Sequence, residues 1–204
     1  YLNLTNETIF LKTHNAMCEI NGNPFTDSKQ SLGGIYLVRD PRDVIMSYSD
    51  HLKKNPREVA ARLVKSNTFE EGIIDGENYN FTLLGSWSDN YNSWKNYKGV
   101  NILIIKFEDL INNTFFTFEK IIKYLSSITK ISVNKDRINE CMQITKFENL
   151  KDLEKKDGFK ERGLGKYFFR SGKVGDWKTK LDNSLVKMIE VKFHKEMTEL
   201  GYLN

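Results

Sequence analysis

Cysteine is almost absent from this chain of 204 residues: Cys18 and Cys141 stand far apart and neither has a CxxC partner. That scarcity excludes a disulfide framework and a cysteine-rich metal site, and predicts two reduced thiols in a cytoplasmic protein. Proline occurs only at positions 24, 41 and 56, so no proline-rich linker divides the chain. No apolar run approaches the ~20 residues that span a bilayer, and no signal-peptide pattern is present, so no membrane segment is expected. Charge of one sign is not in excess either. The formal net charge is +4, the lysines are scattered, and the densest run, 151–160, alternates with acids as a solvated helix face does. A nucleic-acid partner is therefore not expected. Without repeats or low-complexity tracts, residues 1–204 read as a single domain, long enough to bury roughly 70% of its unfolded surface.

What the chain does have is concentrated in short segments. Arg170-Ser171-Gly172-Lys173-Val174-Gly175-Asp176-Trp177-Lys178 packs two glycines, several cations and a Trp-Lys pair into nine residues. Glycines let backbone N–H groups approach a ligand closely and adopt positive φ, and Arg170 offers a planar donor fork, so the loop is suited to an anion. Ile35 to Val38 is an apolar run suited to a buried parallel strand. Asp40 is a good helix N-cap and Pro41 fits a first turn, which predicts a helix through Tyr48 and places Arg39 at the carboxyl end of a strand, where open α/β sheets bind ligands. Ser47 then lies roughly 10 Å along that helix at about 1.5 Å per residue. Asp40, Arg42 and Asp43 read as cap and surface pairs.

Ile9 to His14 reads as an apolar strand that ends in Lys12-Thr13-His14, with Lys12 and His14 on one face. Asn101 to Phe107 is a second buried strand. Residues 15–33 and 66–84 read as long irregular connections. Helices are expected at 58–65, 86–97, 114–127, 135–143, 146–156 and 183–199, the last with Leu185, Met188, Ile189, Val191, Met197 and Leu200 mostly on one side. Strands alternating with helices indicate an α/β domain with a mainly parallel sheet.

These segments resemble the sulfotransferases that use 3′-phosphoadenosine 5′-phosphosulfate. FRSGKVGDWK is similar to their RKGxxGDWK element, YLVRDPRDVIMSY to YVVRDPRDVxxSYY, and Lys12-Thr13-His14 to KTH. The resemblance implies a three-layer, P-loop-NTPase-like fold, and an in-line transfer of a sulfuryl group to a hydroxyl or amine that leaves adenosine 3′,5′-bisphosphate and requires no metal. It implies that Arg39, Ser47, Arg170, Ser171 and Gly172 anchor the 3′-phosphate, that His14 is the general base on the acceptor, and that Lys12 stabilises charge on the transferring group. Imidazole suits that task, since its unperturbed pKa lies nearest neutrality. Thr145-Lys146-Phe147 is similar to the family's TSF segment, whose Thr and Phe line the adenine pocket, with Phe147 stacking on the base. Phe107 stands where many members place an adenine-contacting tyrosine. Gly85-Ser86-Trp87 and Trp94 resemble the GSW stretch near the acceptor.

Two departures matter. No PKSGTTW-like phosphosulfate loop is found, which implies an N-terminally truncated enzyme or a non-catalytic nucleotide-binding remnant. A P-loop kinase-like phosphotransferase is the other rival, and it would need a GxxxxGK[ST] segment that the chain lacks. The stretch Lys178 to Lys187 departs from the family's KxxxTVxxxE dimer motif, so the oligomeric state stays open. So does the acceptor, a small molecule or a carbohydrate.

Overall fold

The computed structural model describes residues 8–74, 78–159 and 167–203. After a short antiparallel hairpin of β1 (Glu19–Ile20) and β2 (Asn23–Pro24), the chain enters β3 (Gly34–Val38), α1 (Pro41–Leu52) and α2 (Pro56–Leu63). A second antiparallel hairpin, β4 (Phe69–Ile74) and β5 (Asn78–Leu83), leads into α3 (Trp87–Asn96), β6 (Ile102–Lys106), α4 (Phe107–Asn112) and α5 (Thr114–Ile128). The chain continues through α6 (Lys135–Ile144), α7 (Phe147–Asp157), α8 (Trp177–Lys180), α9 (Asn183–Lys192) and α10 (His194–Glu199). β3 and β6 pair in parallel from Gly34 against Ile102 to Val38 against Lys106.

The strand-turn-helix at 35–48 forms as expected. The Asp40 side chain accepts from the Arg42 N–H, Pro41 occupies the first helical position, and Lys53 closes α1 in a left-handed conformation. Asn55 caps α2 in the same way, again with proline at the first position. Ser86 and Asp89 form a reciprocal capping box on α3.

Behind α1 lies the main apolar core. Ile45 packs with Val59 and Ala60 of α2 and with Leu181, Leu185, Ile189, Phe193 and Met197. The last four of these recur every four residues, so they share one helical face, although a break at Phe193 divides the expected single helix 183–199 into α9 and α10. That break leaves Phe193 fully buried, its ring 5.2 Å from Trp87. Met188 and Val191, expected on the buried side, are exposed.

Three other expectations fail. Residues 9–14 join no strand ladder among the described residues, and Ile9, Phe10 and Leu11 are exposed. A strand exists by its ladder, and a run of apolar residues cannot supply one. Residues 66–84 are not irregular but contain the β4–β5 hairpin. β3 is not covered on both faces, since Ile35 and Leu37 are 40% and 52% exposed while Val38 is 2% exposed.

Candidate functional site

Arg39 follows the last residue of β3, as its sequence position suggests, and its guanidinium is held from three sides. Cζ lies 4.5 Å above the Phe107 ring, Nη2 donates to the Lys173 carbonyl at 3.0 Å, and the Asp43 carboxylate is 3.9 Å away. Its own carbonyl accepts from the Trp87 indole N–H at 3.1 Å. The Nε atom is buried with no partner among the described residues.

The loop 170–177 is seated against the first turns of α1. Asp43, 1% exposed, accepts the Gly175 N–H at 2.7 Å and the Trp177 N–H at 3.1 Å. This corrects the reading of Asp40, Arg42 and Asp43 as surface pairs: all three are buried. Arg42 makes a two-oxygen pair with Asp40, bonds Glu190 and the Tyr202 carbonyl, and places its Cζ 3.8 Å over the Trp177 ring. Glu108 completes the brace by accepting from the Asp40 N–H at 3.0 Å and the Tyr202 hydroxyl at 2.8 Å. Aspartate at i+4 from Arg39 was the available signal for Asp43; exposure could not be read from it.

Within the loop, Ser171 donates to Asp176 at 3.0 Å and Lys180 reaches the same carboxylate at 2.8 Å. The Lys180 ammonium, aided by Ser171, holds the Asp176 carboxyl below its usual range. Arg170 is exposed and pairs with Asp50 of α1 at 2.5 Å. Ser47, also exposed, lies three residues before Asp50, so both share a face of α1. Gly172 has φ +61°, and a Cβ there would fall 2.5 Å from the Phe147 ring, so only glycine fits. Arg39, Arg170, Ser171, Gly172 and Phe147 are thus brought to one region. Phe107 joins them as a platform under Arg39. Thr145 caps α6, its hydroxyl committed to the Cys141 carbonyl at 2.7 Å.

Before the loop, Glu154 of α7 is 5% exposed and accepts from the N–H groups of Phe168 and Phe169. Neither Glu154 nor Glu108 was singled out from the sequence as a site residue.

Lys12 and His14 are exposed and lie on a segment fastened to α3. Asn90 donates to the His14 carbonyl at 3.3 Å and the Leu84 carbonyl at 2.9 Å, and accepts from the Tyr36 hydroxyl at 2.9 Å. Burial, then the neighbouring Tyr91, pushes the Tyr36 phenol far above its usual pKa, so it remains a donor. The Trp94 indole N–H bonds the Asn15 carbonyl at 2.8 Å. Trp87, the first residue of α3, bonds the Arg39 carbonyl, so α3 touches both the His14 segment and the Arg39 region.

A sulfotransferase domain model matches residues 2–201. Sulfotransferase 2A1 of Rattus norvegicus is 28% identical over 177 residues, which cover 80% of this chain and 56% of the relative. Cytosolic sulfotransferase 1 of Danio rerio is 29% identical over 182 residues, 86% of this chain and 56% of the relative. Among solved structures, mouse sulfotransferase SULT7A1 complexed with PAP superposes with a TM-score of 0.58 at 22% identity, over 80% of this chain and 57% of that one. Retinol dehydratase in a complex with retinol and PAP gives 0.57 at 20% identity, over 80% and 47%. The chain spans about half the length of the curated relatives it matches. The fold is the expected α/β type, of the P-loop-NTPase-like kind, with a parallel sheet flanked by helices. With its family match running nearly end to end, this chain belongs to the sulfotransferase domain family.

Proposed function

We propose that this chain carries the donor-nucleotide site and the acceptor base of a sulfotransferase, in which a sulfuryl group passes from 3′-phosphoadenosine 5′-phosphosulfate to a hydroxyl or amine. The observation that supports this most is the seating of loop 170–177 on α1, which sets Arg39, Arg170, Ser171 and Gly172 around one region. The residues fit a phosphate. Arg39 Nε is a buried donor without a partner among the described residues, which an anion would satisfy. Gly172 gives the backbone a close approach beside Phe147.

On this reading Arg39, Ser47, Arg170, Ser171 and Gly172 hold the 3′-phosphate, with Arg170 exchanging Asp50 for the ligand. Phe147 and Thr145 flank the adenine, and Phe107 keeps Arg39 in place. When bound, the donor supplies an activated sulfuryl group on a phosphate leaving group. His14 takes the acceptor's proton as the new bond to sulfur forms, and Lys12 offsets charge on the transferring oxygens. Relatives and structural neighbours carry the names 3-alpha-hydroxysteroid, androsterone and retinol. The acceptor we propose is of that kind, a small apolar alcohol, and the two free thiols fit a reducing cytoplasm.

The test is transfer of labelled sulfate from the donor to steroid, retinoid, phenol and carbohydrate acceptors, by the wild-type protein and by His14→Ala. Transfer that falls by a factor of about 10² to 10⁴ in the variant, with adenosine 3′,5′-bisphosphate affinity retained, supports the assignment. Undiminished transfer by His14→Ala contradicts it.

A further inference from the structure

The loop that follows Tyr167 is fastened at both ends by buried carboxylates that the proposed chemistry does not use. At its start, Glu154 of α7 accepts the N–H groups of Phe168 (2.5 Å) and Phe169 (2.9 Å). At its end, Asp43 of α1 accepts those of Gly175 (2.7 Å) and Trp177 (3.1 Å). Each carboxylate spends both oxygens on loop amides, and their residues are 5% and 1% exposed. Between the two clamps lie Arg170, Ser171, Gly172 and Lys173, whose carbonyl receives Arg39 Nη2. The helices that carry the clamps carry other residues of the region: α7 begins with Phe147, which fills the space beside Gly172, and α1 bears Ser47 and Asp50.

We infer that Asp43 and Glu154 are positioning residues that hold segment 168–177 in its anion-receiving shape, joining the helix beside the adenine to the helix beside the phosphate. The inference rests on the nucleotide reading above. Asp43 separates a clamp from a mere charge, because it is an anion 3.9 Å from Arg39. If it acted only through its charge, its removal would strengthen the binding of a phosphate near Arg39. A clamp predicts the opposite sign, since an amide in its place cannot accept both loop N–H groups equally and presents an NH₂ to one of them.

The experiment compares the wild-type chain with Asp43→Asn and, at the other end of the loop, Glu154→Gln. Each is titrated with adenosine 3′,5′-bisphosphate and with adenosine 5′-monophosphate, and amide hydrogen exchange is followed over 168–178 without ligand. The clamp predicts bisphosphate affinity at least tenfold weaker in each variant, monophosphate affinity within about twofold of wild type, and faster exchange confined to the loop. Tighter bisphosphate binding by Asp43→Asn, or equal loss for both nucleotides, overturns the positioning role. Unchanged loop exchange in both variants overturns the clamp itself. Should Asp43→Asn fail to fold, Glu154→Gln decides by the same readings. A wild-type chain that binds neither nucleotide overturns the functional reading and the anion role together, while exchange still reports on the clamp.

Discussion

The guanidinium of Arg39 lies 4.5 Å above the ring of Phe107. The stack explains why a phenylalanine can stand at the head of α4: it carries the arginine, and a hydroxyl is not needed for that task. Replacing Phe107 by leucine removes a cation–π contact of about 0.5–2 kcal/mol. Bisphosphate affinity should fall by that amount while Phe107→Tyr leaves it unchanged, as measured by calorimetric titration of both variants.

Gly172→Ala should be far more damaging to the site than to the fold. The left-handed conformation alone costs a non-glycine residue about 1–2 kcal/mol, and the new methyl would meet the Phe147 ring at 2.5 Å. We expect a modest drop in Tm together with loss of most bisphosphate binding, read by thermal melting and titration.

Arg42 is expected to be the most sensitive cation among the described residues. Its side chain is 6% exposed between Asp40, Glu190 and the Trp177 ring. Arg42→Ala leaves the buried Asp40 carboxylate uncompensated and takes the partner from half-buried Glu190, so chemical denaturation should show a loss of about 3–5 kcal/mol.

Alkaline pH should unfold the protein through its tyrosines. Burial pushes Tyr36, Tyr91 and Tyr202 upward, with Tyr91 next to Glu199 and Tyr202 bonded to Glu108 adding to the effect. A folded pKa above the unfolded value of about 10 favours the neutral form, so the full stability is present below that pH. It is lost as pH rises towards the folded values, by up to about 1.4 kcal/mol per pH unit for each tyrosine. Urea midpoints measured from pH 8.5 to 11 should be flat and then fall, and Tyr202→Phe should reduce the slope.

The sequence made parts of this site readable and hid others for physical reasons. Asp40 and Pro41 announced α1, and with it the place of Arg39, because capping is a local preference set by adjacent residues. Gly172 was recognisable as a loop glycine, yet its contact with Phe147 is tertiary. The apolar run 9–14 suggested a strand that does not form, since pairing depends on a partner elsewhere in the chain. The tract 66–84, polar and glycine-bearing, concealed a hairpin whose pairing runs from Phe69 against Leu83 to Ile74 against Asn78. Burial of Asp43 and Glu154 was the hardest to foresee. A charged residue on a helix reads as solvated, and only the loop amides that fold onto it reveal otherwise.

On the reading proposed above, the nucleotide site requires the 3′-phosphate. That requirement is tested most directly by calorimetric titration of the wild-type chain with adenosine 3′,5′-bisphosphate beside adenosine 5′-monophosphate, repeated with Arg39→Ala. Clearly tighter binding of the bisphosphate is expected, an advantage that Arg39→Ala removes without altering the monophosphate. Equal affinity for both nucleotides in the wild type, or an advantage that survives Arg39→Ala, would contradict it.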